Sequence, residues 1–428
     1  MNILIITKTF PAELETFTVN HVLGMAYRGH AVTVIAEKPG IKKFYVSPSV
    51  ADKITVKFFS AKRRTFAVLY TIFSSLFFLF FHPIHFTKVL RQIGLHKNYN
   101  VLQAFMAARL VSKSSFDITH AEFGPLGNIA IALKTCGVRT GPLCVSFRGA
   151  DISSYLNRKP FTYKLILEEG DVFLPICDSF IQRLRLIGFP EKKIITVHSA
   201  INLSLFTFRT LRKKNSAVIK LISAGRFLPT KEFSQAIEAA AALKKNGVPV
   251  TLELIGDGPE KEYFKAKAMN LGIREEVIFP GWISQDEIGR HLMDADIFIG
   301  VSNTSSSGDM EEIPNIMKEA MAVGLPVIAY NHSGLDELIR HGETGYLISE
   351  NNISCMVEII MNIINSDAMV SGIVSNARTL IEEEYASISQ SKRMEQIYVT
   401  LISKYEKKRN CFAAKEYFPG NKTIYLES

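Results

Sequence analysis

Cysteine is scarce in this sequence. Five residues (Cys136, Cys144, Cys177, Cys355 and Cys411) are scattered over 428 positions, and no two form a Cys-x-x-Cys pair. That spacing argues against a zinc site or a disulfide framework and fits a reducing compartment. A secretory leader is not expected either. The opening Met1-Asn2-Ile3-Leu4-Ile5-Ile6 has no basic n-region, and its apolar run is too short for a signal h-region. It reads as a first β-strand, and the expected location is cytoplasmic. There are no internal repeats and no low-complexity segments. Nor is there an aromatic-basic RNA-binding stretch or a zinc-finger spacing, so nucleic acid is not the expected partner. Long apolar runs are also few: the most apolar stretch, residues 66–81, is uncharged for 16 residues before His82-Pro83. As a helix it reaches about 24 Å, short of the roughly 30 Å hydrocarbon core of a bilayer.

What is present is the composition of a globular protein, 47% hydrophobic and 21% charged, in a chain long enough for two cores. The net charge of +9 is uneven. Residues 1–200 carry 25 Lys and Arg against 12 Asp and Glu, whereas the remainder carries 25 against 29. One basic and one mildly acidic half imply that the first half meets something anionic. The Phe-rich run lies in that half, preceded by Lys62-Arg63-Arg64 and followed by Lys88, Arg91 and Lys97. Basic flanks around such a segment suit an interfacial helix on an anionic membrane surface, and the alternative is a buried helix of the first domain.

Short apolar runs alternate with helical patterns throughout, which predicts an α/β fold built on parallel sheets. In the first half, strands are predicted at Ile3–Ile6, Ala31–Ala36, Thr55–Phe59, Ile118–Ala121, Leu143–Phe147, Val172–Pro175 and Ile194–Val197. A first helix follows Asn20 and stops near Gly29. The polar, basic stretch Leu211–Ser216 reads as a linker. The rhythm then restarts with Lys220–Ser223, Thr251–Ile255, Val277–Phe279, Ile297–Gly300 and Val327–Ala329. The expected organisation is two Rossmann-like doubly wound domains, 1–209 and 210–390, followed by a helix and tail at 391–428.

Three stretches carry candidate chemistry. Glu311 and Glu319 lie eight apart around Pro314, a residue suited to the first turn of a helix. A helix start there offers free N–H groups to phosphate, and the two carboxylates can accept hydrogen bonds from sugar and ribose hydroxyls. The competing explanation is an acidic first turn and an exposed glutamate. Arg226 and Lys231 follow the first strand of the second half, at the carboxyl edge where doubly wound sheets bind ligands. They present a planar fork and a point charge to phosphate, or are two solvated loop cations. Gly256 and Gly258 end another strand and permit close backbone approach to a ligand, or simply make a turn. Asp294-Ala295-Asp296 has the look of a metal-binding pair but precedes the apolar Ile297-Phe298-Ile299, and reads as the structural start of a strand.

Taken together, these stretches resemble the large family of retaining GT-B glycosyltransferases (glycosyl transferases group 1), especially members that build bacterial exopolysaccharides such as colanic acid. The match is strongest from Glu311 through Leu347, with Ala-Met-Ala-Val-Gly-Leu-Pro-Val and Gly342-Glu343-Thr344-Gly345-Tyr346-Leu347. Glu15-Thr16-Phe17, Gly29-His30-Ala31-Val32, Phe123-Gly124-Pro125, Arg148-Gly149-Ala150-Asp151-Ile152 and Val197-His198-Ser199-Ala200-Ile201 look like the same family. The resemblance implies two domains facing a cleft and sugar transfer from a nucleotide-diphosphate sugar to a saccharide acceptor, lipid-linked, in exopolysaccharide or O-antigen synthesis. By the same resemblance Glu311 binds the donor sugar and Glu319 the ribose. Arg226 and Lys231 neutralise the leaving diphosphate, while Gly256, Gly258, Asn315 and Ile316 line the phosphates. Glu15, Thr16, Phe17, Arg148 and Asp151 belong to the first-domain cleft. No metal and no cofactor is implied, because the cations replace the metal.

Three positions depart from the family pattern. Glu312 and Glu232 stand where glycines are usual, and Arg148 occupies the place of a histidine that contacts the donor sugar. Arg148 is left with three roles: binding the leaving phosphate, binding an anionic acceptor, or pairing with Asp151. Rival functions are a catalytically degenerate homologue acting as a scaffold, and a nucleotide-sugar epimerase or a phosphorylase on a related fold. The catalytic carboxylate pair or cofactor lysine that the last two need has no candidate here.

Overall fold

Ile3, Leu4, Ile5 and Ile6 are all fully buried, which is what a strand covered on both faces requires. Each such side chain contributes about 1.5–3 kcal/mol by leaving water. They form the middle of β1 (Asn2–Phe10), which pairs in parallel with β2 (Ala31–Pro39) on one side and β4 (Ile118–Ala121) on the other. With β3 (Ile54–Phe58), β5 (Leu143–Phe147) and β6 (Val172–Pro175) they make a six-stranded sheet of order β3-β2-β1-β4-β5-β6. A second sheet repeats the plan. Its strands are β7 (Ile219–Ala224), β8 (Val250–Ile255), β9 (Val277–Gly281), β10 (Ile297–Gly300), β11 (Val327–Tyr330) and β12 (Tyr346–Ile348), in the order β12-β11-β10-β7-β8-β9. The computed structural model describes residues 1–12, 16–40, 46–59, 73–77, 79–80, 83–88, 101–153, 155–156, 163–209, 217–228, 233–300, 313–331 and 334–417.

Eleven of the twelve predicted strands are present, with ends moved by up to a few residues. Ile194–Val197 is not a strand: its backbone reaches β6 through the Val197 N–H to Pro175 O bond of 2.9 Å and then leaves the sheet edge. β12 was not predicted. The first helix runs Thr16–Tyr27, and Gly29 takes a left-handed φ of 92° where the chain turns into β2. The expected linker at 211–216 lies outside the described residues.

The chain folds as two compact units that are discontinuous in sequence. One comprises Met1–Ser146, Phe161–Leu174 and Ser391–Ser428, and the other Phe147–Pro160 and Pro175–Gln390. The first unit therefore includes most of the terminal helix Ser387–Tyr417, and a buried polar chain ties that helix in. His120 Nε2 meets Ser146 Oγ at 2.8 Å, and His120 Nδ1 meets the Tyr398 hydroxyl at 2.6 Å. That hydroxyl also meets His21 Nε2 at 2.9 Å, and His21 Nδ1 meets Glu122 Oε1 at 2.5 Å. One assignment satisfies all four bonds: Ser146 donates to His120, His120 to Tyr398, Tyr398 to His21 and His21 to Glu122. The donor atoms of His21, His120 and Glu122 lie within 4.8 Å of one another, close enough to suggest a metal. However, two ligands of a tetrahedral ion with bonds of about 2.0–2.1 Å stand roughly 3.3 Å apart. At 2.5 Å, His21 and Glu122 are closer than that and are hydrogen-bonded to each other. One helical turn earlier, Glu395 binds Arg28 and, at 2.6 Å, His30.

Candidate active site

The second sheet reverses its strand order between β7 and β10, and doubly wound sheets hold ligands at the carboxyl ends of strands at such a switch. Two stretches singled out in the sequence leave those ends. After β7 comes Gly225-Arg226-Phe227, with Arg226 exposed and Phe227 buried against Phe233 and Phe264 at 5.0 and 5.5 Å. This loop is laced to the one after β8 by Gly225 N–H to Ile255 O (3.0 Å) and Phe227 N–H to Asp257 O (3.0 Å). The lacing is so close that a Cβ on Gly256 would lie 1.9 Å from Gly225 O, and one on Gly258 2.4 Å from Phe227 O. With φ of 138° and 157°, both positions demand glycine on backbone grounds alone. An apolar cavity lies instead at the amino end of this sheet, lined by Ile219, Pro249, Ile297 and Pro326, away from the edge where ligands bind.

Beyond β10 stands the helix Asn315–Ala322, with Pro314 in the capping position just before it rather than in its first turn. Asn315 and Ile316 are half-buried, while Lys318 and Glu319 are 1% and 7% exposed. The exposed-glutamate explanation thus fails for Glu319. Burial pushes its carboxyl up to about 7, against the opposing effects of the Lys318 charge and a hydrogen bond with Gln285. Lys318 Nζ donates to Ser199 O at 2.8 Å and to Asn315 Oδ1 at 3.1 Å, and lies 5.3 Å from the centre of the Tyr385 ring. Arg148 Nη1 donates to Ser199 Oγ at 3.1 Å. The carboxylate of Asp151 accepts the backbone N–H groups of Arg148 and Gly149 at 2.9 and 2.8 Å, so it shapes this turn. Arg148 and Asp151 both fall in the second unit, although the resemblance assigned them to the first domain.

In the first unit, Thr16 and Phe17 open the first helix, half-buried, and the Phe17 ring meets Phe123 edge-on at 6.0 Å beyond the end of β4. Asp296 starts β10 as expected, its N–H and carboxylate bracketing Lys220 at 2.7 and 2.8 Å. Glu15, Lys231 and Glu311, with Glu232 and Glu312, lie outside the described residues. Lys318, Ser199 and Tyr385 were not singled out as site residues. The available signal was a lysine beside the glutamate in the otherwise apolar Ile316-Met317-Lys318-Glu319-Ala320-Met321.

A profile described as Glycosyl transferases group 1 matches residues 207–380. The amylovoran biosynthesis glycosyltransferase AmsK of Erwinia amylovora is 30% identical over 404 residues, spanning 90% of this chain and 96% of that protein. The chain belongs to this family of glycosyltransferases. A second relative, the putative colanic acid biosynthesis glycosyltransferase WcaL of Salmonella typhimurium, is 27% identical over 404 residues, covering 92% and 98% of the two chains. These two relatives are named for amylovoran and for colanic acid biosynthesis. Among solved structures, HepE of Anabaena in complex with UDP superposes with a TM-score of 0.68 at 16% identity. It covers 94% of this chain and all of its own. That likeness, with two parallel-sheet α/β units, establishes the GT-B fold of the glycosyltransferase.

Proposed function

We propose that this glycosyltransferase transfers a sugar from a nucleotide-diphosphate sugar to a lipid-linked saccharide, with retention of anomeric configuration and without a metal, at an anionic membrane surface. The observation that carries the donor side is Glu319: a carboxyl buried on the helix that leaves the β7/β10 switch, with its proton held up to about pH 7. Such a group is costly to bury unless hydrogen-bond donors meet it, and two ribose hydroxyls supply them. Glu311 serves the donor sugar in the same way. Gly256, Gly258 and the backbone at Asn315 and Ile316 line the diphosphate, and Arg226 and Lys231 neutralise it. In the reaction the bond from the anomeric carbon to the phosphate oxygen breaks and a bond to the acceptor oxygen forms on the same face. The acceptor proton passes to the departing phosphate. Charge grows on the phosphate as this happens, so cations fixed beside it lower the barrier. Crystal structures of HepE with UDP and with UDP-glucose make UDP-sugars the first donors to try.

The acceptor side rests on the surface of the first unit. Phe73, Leu76, Leu79, Phe80 and Ile84 are exposed along the Phe-rich run and its continuation, Phe80 by 75%. Other residues of the same stretch pack inward, Phe86 on Phe105 at 5.3 Å and His85 on Thr135 O at 2.9 Å. A stretch anchored on one side and apolar on the other, in the basic half of the chain, suits a lipid surface. Among the described residues no single helix is long and apolar enough to cross a membrane.

Calorimetry with UDP, GDP and ADP tests the donor assignment. Glu319→Ala should weaken binding of the preferred nucleotide by about 1.5–3 kcal/mol, the worth of hydrogen bonds to a charged group. Unchanged affinity in a folded variant rejects it.

A further inference from the structure

Lys318 plays no part in the donor assignment above, yet it is the more unusual of the two buried charges on its helix. An ammonium at 1% exposure is costly unless its surroundings are polar and fixed. Its place makes the cost greater, because a cation near the start of a helix opposes the helix dipole. Arg148 brings a second cation to the same residue, Ser199, whose carbonyl accepts from Lys318 and whose hydroxyl accepts from Arg148. Positive charge from the helix start, an ammonium and a guanidinium is thus gathered within one unit, around a segment that Lys318 ties to the helix through Ser199. An anion relieves that concentration of charge.

We propose that Lys318 is a positioning residue for the diphosphate, clamping Ser199 to the first turn of the helix so that Arg148 and the backbone at Asn315 address the same anion. This rests on the nucleotide-diphosphate reading of the site. The two Lys318 bonds hold the two sides of the arrangement: Asn315 Oδ1 on the helix, and Ser199 O on the segment that meets Arg148. The face of Tyr385, 5.3 Å away, keeps the ammonium from swinging out, and His198 packs on the same tyrosine with ring centres 4.6 Å apart. Arg148 thereby acquires a role in phosphate binding that does not depend on matching the histidine the family usually has there.

A merely structural lysine and a positioning lysine differ in what they do to ligands of unequal charge. The test is calorimetry with UDP, GDP and ADP and with the matching monophosphates, on wild type, Lys318→Met, Lys318→Arg and Ser199→Ala. Lys318→Met keeps length and removes charge. It should weaken the preferred diphosphate about tenfold, the scale of a lost charged hydrogen bond, while changing its monophosphate by less than about twofold. Ser199→Ala releases only the Arg148 contact and should shift the same ratio in the same direction, whether or not Lys318→Met folds. Lys318→Arg should recover part of it. A diphosphate-to-monophosphate ratio equal to wild type in Lys318→Met, or in Ser199→Ala if the former unfolds, overturns the proposal. Absence of any diphosphate binding by wild type would overturn the donor reading beneath it, a result distinct from an unchanged ratio.

Discussion

In the first unit, Ser146, His120, Tyr398, His21 and Glu122 come from four separate segments and close on one another, each bond between two buried or nearly buried groups. In the second, Lys318 and Glu319 are adjacent on one short helix, and their partners are a carbonyl, two amides and an aromatic face. The first arrangement joins its polar groups to each other. The second holds a carboxyl far from its ordinary proton affinity and an ammonium out of water, which costs stability. Buried charge alone therefore does not mark a site; what matters is whether its bonds close among themselves.

The largest expected effect comes from opening the closed chain. Tyr398→Phe deprives His21 Nε2 and His120 Nδ1 of the hydroxyl they share, and two buried groups that each lose a bond cost about 1–3 kcal/mol apiece. Urea unfolding should show a loss of roughly 4 kcal/mol with nucleotide affinity unchanged. A variant as stable as wild type would mean the chain contributes nothing, and the contrast between the units would collapse.

The next effect runs the other way. Glu319 has its folded-state pKa raised from 4.5 to about 7, so its contribution is most favourable below pH 4.5 and is lost as pH rises through 7. Glu319→Gln removes that loss. It should stabilise the protein at pH 8 by about 3 kcal/mol, from 1.36 kcal/mol for each unit of raised pKa, and gain nothing at pH 4.5. The same variant should bind nucleotide more weakly. If it proves less stable than wild type at pH 8, Glu319 is a structural group and the second unit resembles the first.

The smallest effect is at the surface. Phe80→Ser should lower partition of the protein onto vesicles containing anionic lipid by about 1.5 kcal/mol, roughly tenfold, with no change in thermal stability because Phe80 is exposed already. Wild type should also leave such vesicles as salt rises, since exposed charges are screened over about 10 Å at 0.1 M. Wild type that ignores the vesicles at low salt would remove the membrane from the proposal.

The strands of both sheets were legible because a parallel sheet covered on two faces needs uninterrupted apolar runs, and Ile3–Ile6 or Ile297–Gly300 can hardly be anything else. Ile194–Val197 has the same apolar character and fails because composition cannot tell an inner strand from a segment that brushes an edge. The three residues of β12 were hidden inside a stretch read for its motif. Glu319 stands out in the sequence because a carboxylate near a helix start has a stated chemical use, whereas Lys318 does not because lysines on helices are almost always solvated. Tyr398 was beyond reach for a different reason: nothing local distinguishes a tyrosine whose partners are 377 and 278 residues away.

That distance has a consequence for the making of the protein. On a ribosome adding about 5–20 residues per second, His120 emerges some 15–55 s before Tyr398, 278 residues later. Throughout that interval β1, β4 and their helices exist with two imidazoles and a carboxylate lacking the hydroxyl that joins them, while the whole second sheet is synthesised. The nascent first unit thus waits for its last segment until the second sheet has been made. A message broken between codons 349 and 397 yields a chain that carries β1 through β12 but lacks the hydroxyl that His21 and His120 share.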